Sequence, residues 1–451
     1  MTFSMDNLSN KNCLIIGLGK TGLSCARFLA DRAMGIVMMD TRENVSLAAD
    51  IQNEYPQILV KTGGLDQDWL LKADMIILSP GVDPRLPEIV MAREAGIEIV
   101  GDIELFARYT DAPVVAITGS NGKSTVTTLL ALMAQVSGKN IRAGGNLGTP
   151  ALDLLAEIAP DFYILELSSF QLETVRSLNA FAAAVLNISP DHMDRYDSLG
   201  EYVQAKETIY NGDGVMVINR DDSTVLGMTQ ADRNVIGFSL QPSAGVDFGL
   251  IERDGIVFLA EGDEPLLAVE QLKIVGSHNL ANALAALALG SAMALPMSSM
   301  LSALREYRGL PHRCRLVRQI NNVRWFNDSK ATNVGACIAA IEGLTEVGKI
   351  ILIAGGVGKD QDFSELTASI RKSVRAVVLL GIDADRIGAV IPEEVTQIRA
   401  TDMADAVNLA KQLAQDGDNV LLSPACASFD MFSGYAERGD SFEQAVREVA
   451  A

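Results

Sequence analysis

"PVVAITGSNGKSTVTTLLALMAQV", residues 113–136, is the stretch on which the fold turns. A short unbroken apolar run leads into Gly119, Ser120, Asn121, Gly122, Lys123, Ser124 and Thr125, and a helical pattern follows. Strand, glycine loop and helix in that order are the setting a phosphate loop needs. The glycines let backbone N–H groups turn inward, Lys123 can reach terminal phosphates, and Ser124 or Thr125 can offer a hydroxyl to Mg2+. The helix N-terminus favours the anion. Ile117 stands where the first glycine of GxxxxGK[ST] would be. A plain Gly/Ser turn with a surface lysine would not need strand, Lys-Ser-Thr and helix together, so the stretch predicts ATP or another nucleoside triphosphate.

Outward from this loop the pattern repeats. "CLIIGLG", "GIVMMD" and "MIILSPG" precede it; "FYILELSS", "FAAAVLNISPDH" and "GVMVINRDD" follow; "KIILIAGGVGK", "AVVLLGID" and "NVLLSPACAS" form a third series. Continuous apolar strands separated by helices predict an α/β fold with mainly parallel sheets covered on both faces, binding ligands at the strands' carboxyl ends. Restarts of the pattern put domain boundaries near residues 101–104 and 309–312, giving three domains. A second glycine loop, "GLGKTG" at residues 17–22, follows the strand "NCLII" and matches GxGxxG, with Asp40 closing the next strand. That is the dinucleotide fingerprint, so an NAD-dependent dehydrogenase competes. A nucleotide-sugar diphosphate would fit the loop equally well.

At 451 residues, with 48% hydrophobic and 21% charged residues, the chain suits several buried cores in a soluble protein. Its five scattered cysteines form no CxxC pair, which argues for a reducing cytoplasm and against a disulfide framework or zinc site. The N-terminus shows no secretory signal pattern. Residues 274–304 hold no Asp, Glu, Lys or Arg, but they are alanine-rich and broken by Asn279, Asn282 and Pro296, so they read as buried helix rather than membrane span. A net charge of −20 disfavours nucleic acid and anionic lipid, and obliges a site for anionic substrates to gather its own cations.

Polar clusters end the other strands. Glu166 in "ILELSSFQLE", with Ser168, Ser169 and Gln171, is a sensible Mg2+ ligand beside a phosphate loop. "LNISPDHMDRY" offers Asp191, His192, Asp194 and Arg195 for metal or phosphate. Lys206 in "EYVQAKETIY" reads locally as one more solvated helix lysine. "GLPHRCR" brings His312, Arg313 and Arg315, and "WFNDSKATN" brings Asp328, Lys330 and Thr332. Cations at a domain junction could neutralise charge developing in phosphoryl transfer. "AGGVGKD" with Lys359 and "SPACASFDMF" with Ser428 could hold a small carboxylate-bearing ligand.

The ordered set "TGSNGKST", "ELSSFQLE", "LNISPDHMDRY", "GSHNLANALAA", "GLPHR", "NDSKATN" and "LLSPACASFD" resembles the Mur ligases of peptidoglycan synthesis over nearly the whole chain. The opening "IIGLGKTG", the absence of "DNPR" and the presence of "SPACASFD" are similar to the branch that adds D-glutamate to UDP-N-acetylmuramoyl-L-alanine. The resemblance implies three domains: a Rossmann-like UDP-substrate domain (1–101), a P-loop ATPase-like central domain (102–309) and a Rossmann-like amino-acid domain (310–451). It implies that Lys20, Thr21, Asp40, Thr41, Arg42 and Gly81 surround uridine diphosphate, and that Asn146, Ser168 and Gln171 contact the rest of that substrate. By the same resemblance Gly119 to Thr125 hold the ATP phosphates, Asn279 the adenine and Asp328 the ribose, while Arg313 and Lys330 face the γ-phosphate. Thr332, Lys359, Ser428, Phe429 and Tyr435 take D-glutamate. Ser124, Glu166, His192 and Lys206, the last as a CO2-derived carbamate, hold two Mg2+ ions. Lys123, His192, Lys206, Arg313 and Lys330 carry the catalysis. A cytoplasmic monomer acting on ATP, D-glutamate and the UDP-substrate is expected. Another Mur ligase or a folylpolyglutamate-synthase-like amide ligase is the alternative, with a dehydrogenase or a nucleotide-switched binding protein behind it.

Overall fold

In the computed structural model, which describes residues 8–155, 158–344 and 348–449, the strands gather into three sheets. The first holds β1 (Asn12–Ile16), β2 (Gly35–Asp40), β3 (Leu59–Thr62), β4 (Met75–Leu78) and β5 (Glu98–Val100), all parallel in the order β3-β2-β1-β4-β5. β4 is buried at every position, as a strand covered on both faces must be. The order reverses at β1, so "GLGKTG" opens at the switch point. Two of its glycines are obligatory: Gly17 has φ 103°, and a Cβ on Gly22 would collide with the Gly17 carbonyl.

The second sheet is built from β6 (Val114–Thr118), β7 (Ile141–Gly145), β8 (Phe162–Glu166), β9 (Ala182–Val185), β10 (Val215–Asn219) and β11 (Val235–Phe238). It continues with β12 (Phe248–Arg253), β13 (Ile256–Glu261) and β14 (Glu264–Ala268). The order is β14-β13-β12-β11-β10-β9-β6-β8-β7. β6 lies between β8 and β9, the second switch point, and carries the phosphate loop. The expectation of mainly parallel pairing holds through β12, whereas β13 and β14 add antiparallel hairpins that the sequence reading does not contain.

The charge-free run at 274–304 forms two helices, Ser277–Ala292 and Met297–Glu306, separated before Pro296. They pack with the helix Lys123–Val136 over one face of this sheet, where Leu284, Leu287 and Leu289 are fully buried. Among the described residues no helix is long and apolar enough to cross a membrane.

The third sheet comprises β15 (Arg315–Ile320), β16 (Val323–Asn327), β17 (Ile350–Ala354), β18 (Val374–Leu379), β19 (Thr396–Arg399) and β20 (Asn419–Leu422). β15 and β16 form an antiparallel hairpin, and β20, last in the chain, is inserted between β16 and β17. Separate clusters fill its two faces. The first two sheets instead share one continuous cluster, in which Phe28 meets Tyr109 and Phe106 meets Tyr163 edge to face at 5.0 Å. All five cysteines are buried and unpaired.

Candidate active site

At the end of β6 the chain turns through Gly119 (φ 151°) and Gly122 (φ 85°), the latter capping the helix Lys123–Val136. Both are left-handed, and a Cβ on Gly122 would strike Asn282. The loop is stitched to the segment after β9. Ser120 N donates to Asn187 O (2.9 Å), Asn121 N to Asn187 Oδ1 (2.8 Å), and Ser120 Oγ to Ser189 O (2.9 Å). Lys123 folds over its own loop, donating to the carbonyls of Gly119 (2.8 Å) and Ser120 (3.0 Å). Burial lowers its pKa below the ordinary lysine value.

Lys206 overturns its local reading. On the helix Leu199–Glu207 it is 1% exposed and points inward, donating to Gly119 O (2.9 Å) and Thr118 Oγ1 (3.3 Å) above the Tyr202 ring. Burial, and next the neighbouring Lys123, hold its pKa well below the usual lysine range. A buried amine that is easily neutral is a nucleophile, not a solubilising charge.

Opposite these lysines, Glu166 at the end of β8 accepts from Asn146 Nδ2 (2.6 Å), while its Oε2 is buried without a partner. Asp191 accepts from His192 N (3.0 Å) and from Asn333 Nδ2 (3.2 Å). Burial would raise the Asp191 pKa, but His192, Lys359 and Lys123 bring it below the ordinary value. His192, strained at φ 58°, packs edge-on against Phe170, and burial lowers its pKa, leaving a neutral ring with a lone pair to give.

The third domain sends its cations here. Arg313 Nη2 donates to Ser124 Oγ (2.9 Å), Lys359 Nζ lies 3.6 Å from Asp191, and Asn121 pairs with Asn333. Lys330 Nζ sits 3.9 Å from the Tyr435 ring centre, and burial, with Arg313 and Lys123 near, brings its pKa to about 8. Phosphate loop, Glu166, His192, Lys206, Arg313, Lys330, Thr332, Lys359, Ser428, Phe429 and Tyr435 therefore line one cleft of about 1200 Å3, together with Asn146 and Ser168. An adjoining pocket of about 730 Å3 is lined by Asn279, Asn282, His278, Asp328 and the loop's Asn121, Gly122 and Thr125.

Other expected residues lie elsewhere. Lys20, Thr21, Asp40, Thr41, Arg42 and Gly81 line neither cavity and cluster instead at the carboxyl end of the first sheet. Asp40 is not free for a ribose. It accepts from Leu18 N (2.8 Å) and Arg42 N (2.9 Å), and its bond with the Arg42 guanidinium above all lowers its pKa to about 2. That removes the dehydrogenase's usual acceptor and presents an exposed guanidinium beside the glycine loop.

Gln171 is buried, donating to Asp102 (3.1 Å) and accepting from Ser168 N (3.1 Å), so it braces Ser168 rather than facing the cleft. His312 turns away toward Asn327 and Asp440, Arg315 lies on an exposed edge strand, and Arg195 pairs with Glu173 (2.7 Å). Tyr202, Asn333 and Phe170 complete the cleft and Asn187 lines the adjoining pocket, and only the position of Asn187 after an apolar strand marks any of them in sequence.

A phosphate loop faced by cations from a separate domain, with a second glycine loop on a third, defines a nucleotide-dependent enzyme that joins substrates across domains. Residues 11–101 match the Mur ligase MurD-like N-terminal domain, 117–290 the Mur ligase middle domain and 312–426 the Mur ligase glutamate ligase domain. The chain belongs to the Mur ligase family. It is 55% identical to the UDP-N-acetylmuramoylalanine–D-glutamate ligase of Nitrosococcus oceani over 97% of this chain and 96% of that one. It is 50% identical to the same-named ligase of Pseudomonas savastanoi pv. phaseolicola over 97% and 98%. The fold is also that of the Thermotoga maritima MurF ligase in complex with ADP (TM-score 0.63, 16% identity, 92% and 96% covered). The MurC ligase of the same organism shares it as well (0.60, 18%, 97% and 99%).

Proposed function

We infer that the protein is an ATP-dependent ligase that adds D-glutamate to UDP-N-acetylmuramoyl-L-alanine in peptidoglycan precursor synthesis. The convergence of Arg313, Lys330 and Lys359 from the third domain on the phosphate loop of the second carries this reading. The L-alanyl carboxylate attacks the γ-phosphorus of ATP, forming an acyl phosphate and releasing ADP. The amine of D-glutamate then attacks the acyl carbon, and the tetrahedral intermediate expels phosphate to leave the amide. Lys123, Arg313 and Lys330 stabilise the charge on the transferring phosphoryl group. Alignment of three substrates supplies the orientation term, and a closed cleft protects the acyl phosphate from water.

The remaining roles are proposals on the same footing. Arg42, Lys20, Thr21, Thr41 and Gly81 hold uridine diphosphate, with Asp40 fixing Arg42, while Asn146 and Ser168 meet the rest of that substrate. Asn279 and Asp328 flank the nucleoside, and Thr332, Lys359, Ser428, Phe429 and Tyr435 bind D-glutamate. Mg2+ would be held by the unpartnered Oε2 of Glu166, the Ser124 hydroxyl, the neutral His192 ring and, once formed, a carbamate on Lys206. When bound, Mg2+ would screen the phosphate charges. Carbamate formation requires the neutral amine that the burial of Lys206 favours. Domain junctions at 101/102 and 309/310 leave every sheet whole. The site is complete within one chain, which suits a monomer, and its substrates belong to the cytoplasm.

Phosphate release tests the assignment. With UDP-N-acetylmuramoyl-L-alanine and ATP, D-glutamate should support turnover while L-glutamate, meso-diaminopimelate and L-alanine support little. Equal turnover of L-alanine with unsubstituted UDP-muramic acid would overturn it.

A further inference from the structure

Arg438 is among the largest fully buried side chains, yet no acceptor around it is a carboxylate. It projects from the helix Tyr435–Glu448 into the gap between the carboxyl ends of β16, β17 and β20. Nε donates to Ser329 Oγ (3.0 Å), Nη2 to Ser329 O (2.7 Å), and Nη1 to Cys426 O (3.1 Å) and Gly355 O (3.5 Å). Ser329 Oγ in turn donates to Tyr435 O (2.7 Å), closing the ring back onto the helix start.

Each tethered segment carries proposed D-glutamate contacts. Ser329 precedes Thr332, Gly355 precedes Lys359, Cys426 precedes Ser428 and Phe429, and Tyr435 begins the helix that bears Arg438. A buried guanidinium is costly, and burial lowers its pKa to about 10. A neutral side chain could fill the space, but a planar fork can bind several loop carbonyls at fixed angles.

We propose that Arg438 is a positioning residue for the amino-acid subsite, setting the spacing of its three loops without touching substrate. This rests on the D-glutamate subsite assigned above. The residue also places positive charge behind a site for a dicarboxylate; Asp430 and Asp328 lie near enough to act on that charge, but neither accepts a hydrogen bond from it.

Arg438→Lys tests this, because lysine keeps the charge but cannot bridge three loops. Loss of register at a subsite should raise the KM for D-glutamate by roughly tenfold or more. The KM values for ATP and for UDP-N-acetylmuramoyl-L-alanine should stay within about twofold, as misplacement confined to one subsite implies. Ser428→Ala, a direct contact, serves as the parallel control. A raised D-glutamate KM in Ser428→Ala with none in Arg438→Lys refutes the positioning role and leaves the subsite standing. No change in either variant refutes the subsite itself. A lowered kcat with all three KM values unmoved shows a purely structural residue and also overturns the proposal. Should Arg438→Lys not fold, Ser329→Ala removes one acceptor only and should move the same KM in the same direction, failing which the proposal falls.

Discussion

Asp328→Asn should make the protein more stable above neutral pH while impairing nucleotide use. The Asp328 carboxylate is buried, accepting from Cys314 N (3.0 Å) and Ser423 Oγ (2.9 Å). Burial raises its pKa from 3.8 to about 7, with those two bonds and Arg313 opposing the rise. The folded state therefore holds this proton more tightly than the unfolded chain. The stability it contributes is full below about pH 4, declines as pH rises, and is lost above about pH 7. The gap between 3.8 and about 7, at about 1.4 kcal/mol per pH unit, sets an upper bound of about 4 kcal/mol. Asparagine keeps the shape and carries no such charge. Calorimetry at pH 5 and pH 8 should show the variant melting at least several degrees above the parent at pH 8, at roughly 2–4 °C per kcal/mol, and a much smaller difference at pH 5. Its KM for ATP should rise if Asp328 meets the ribose. A melting difference independent of pH, or a variant less stable at pH 8, would refute the reasoning.

Lys123→Ala should cut phosphate release by several powers of ten, with an unchanged melting temperature, because the side chain binds only loop carbonyls; activity within a few-fold of the parent would move the ATP site elsewhere. Lys206→Ala should be nearly inactive and partly restored by formate or acetate filling the vacated carboxylate position; an active variant would remove the carbamate from the mechanism. Arg42→Ala should raise the KM for the UDP-substrate by roughly 10- to 100-fold, the worth of a charge-assisted bond, and leave that for ATP unchanged. An unmoved KM for the UDP-substrate would take Arg42 out of the pyrophosphate site.

The phosphate loop and most of the parallel strands were legible because their signal is local: an apolar run, a glycine turn, a helix. The Lys206 environment was not. Its hydrogen-bond partners Thr118 and Gly119 lie 88 and 87 residues away at the end of β6, only Tyr202 shares its helix, and nothing within a helical turn distinguishes a buried lysine from a solvated one. Gln171 shows the converse. A glutamine three residues after Ser168 fits both a capping box and a substrate contact, and the capping box, with the bond to Asp102 69 residues away, is visible only in the fold. β13 and β14 escaped notice because they return as antiparallel hairpins after short turns, outside the alternation of strands and helices that marks the parallel part of the sheet. Arg438 gave no signal, since its partners lie on three loops.

The insertion of β20 between β16 and β17 bears on how the enzyme comes into being. On the ribosome, β1 to β14 are complete by Ala268, so both sheets that share the first core can form while the rest is still being made. The third sheet cannot: until Asn419–Leu422 emerges, β16 and β17 have no strand between them, and the loops bearing Lys330 and Lys359 have nothing to hold their spacing. An unfinished chain can thus fold its phosphate loop before the loops of Lys330 and Lys359, which share its cleft in the finished structure, are held in place.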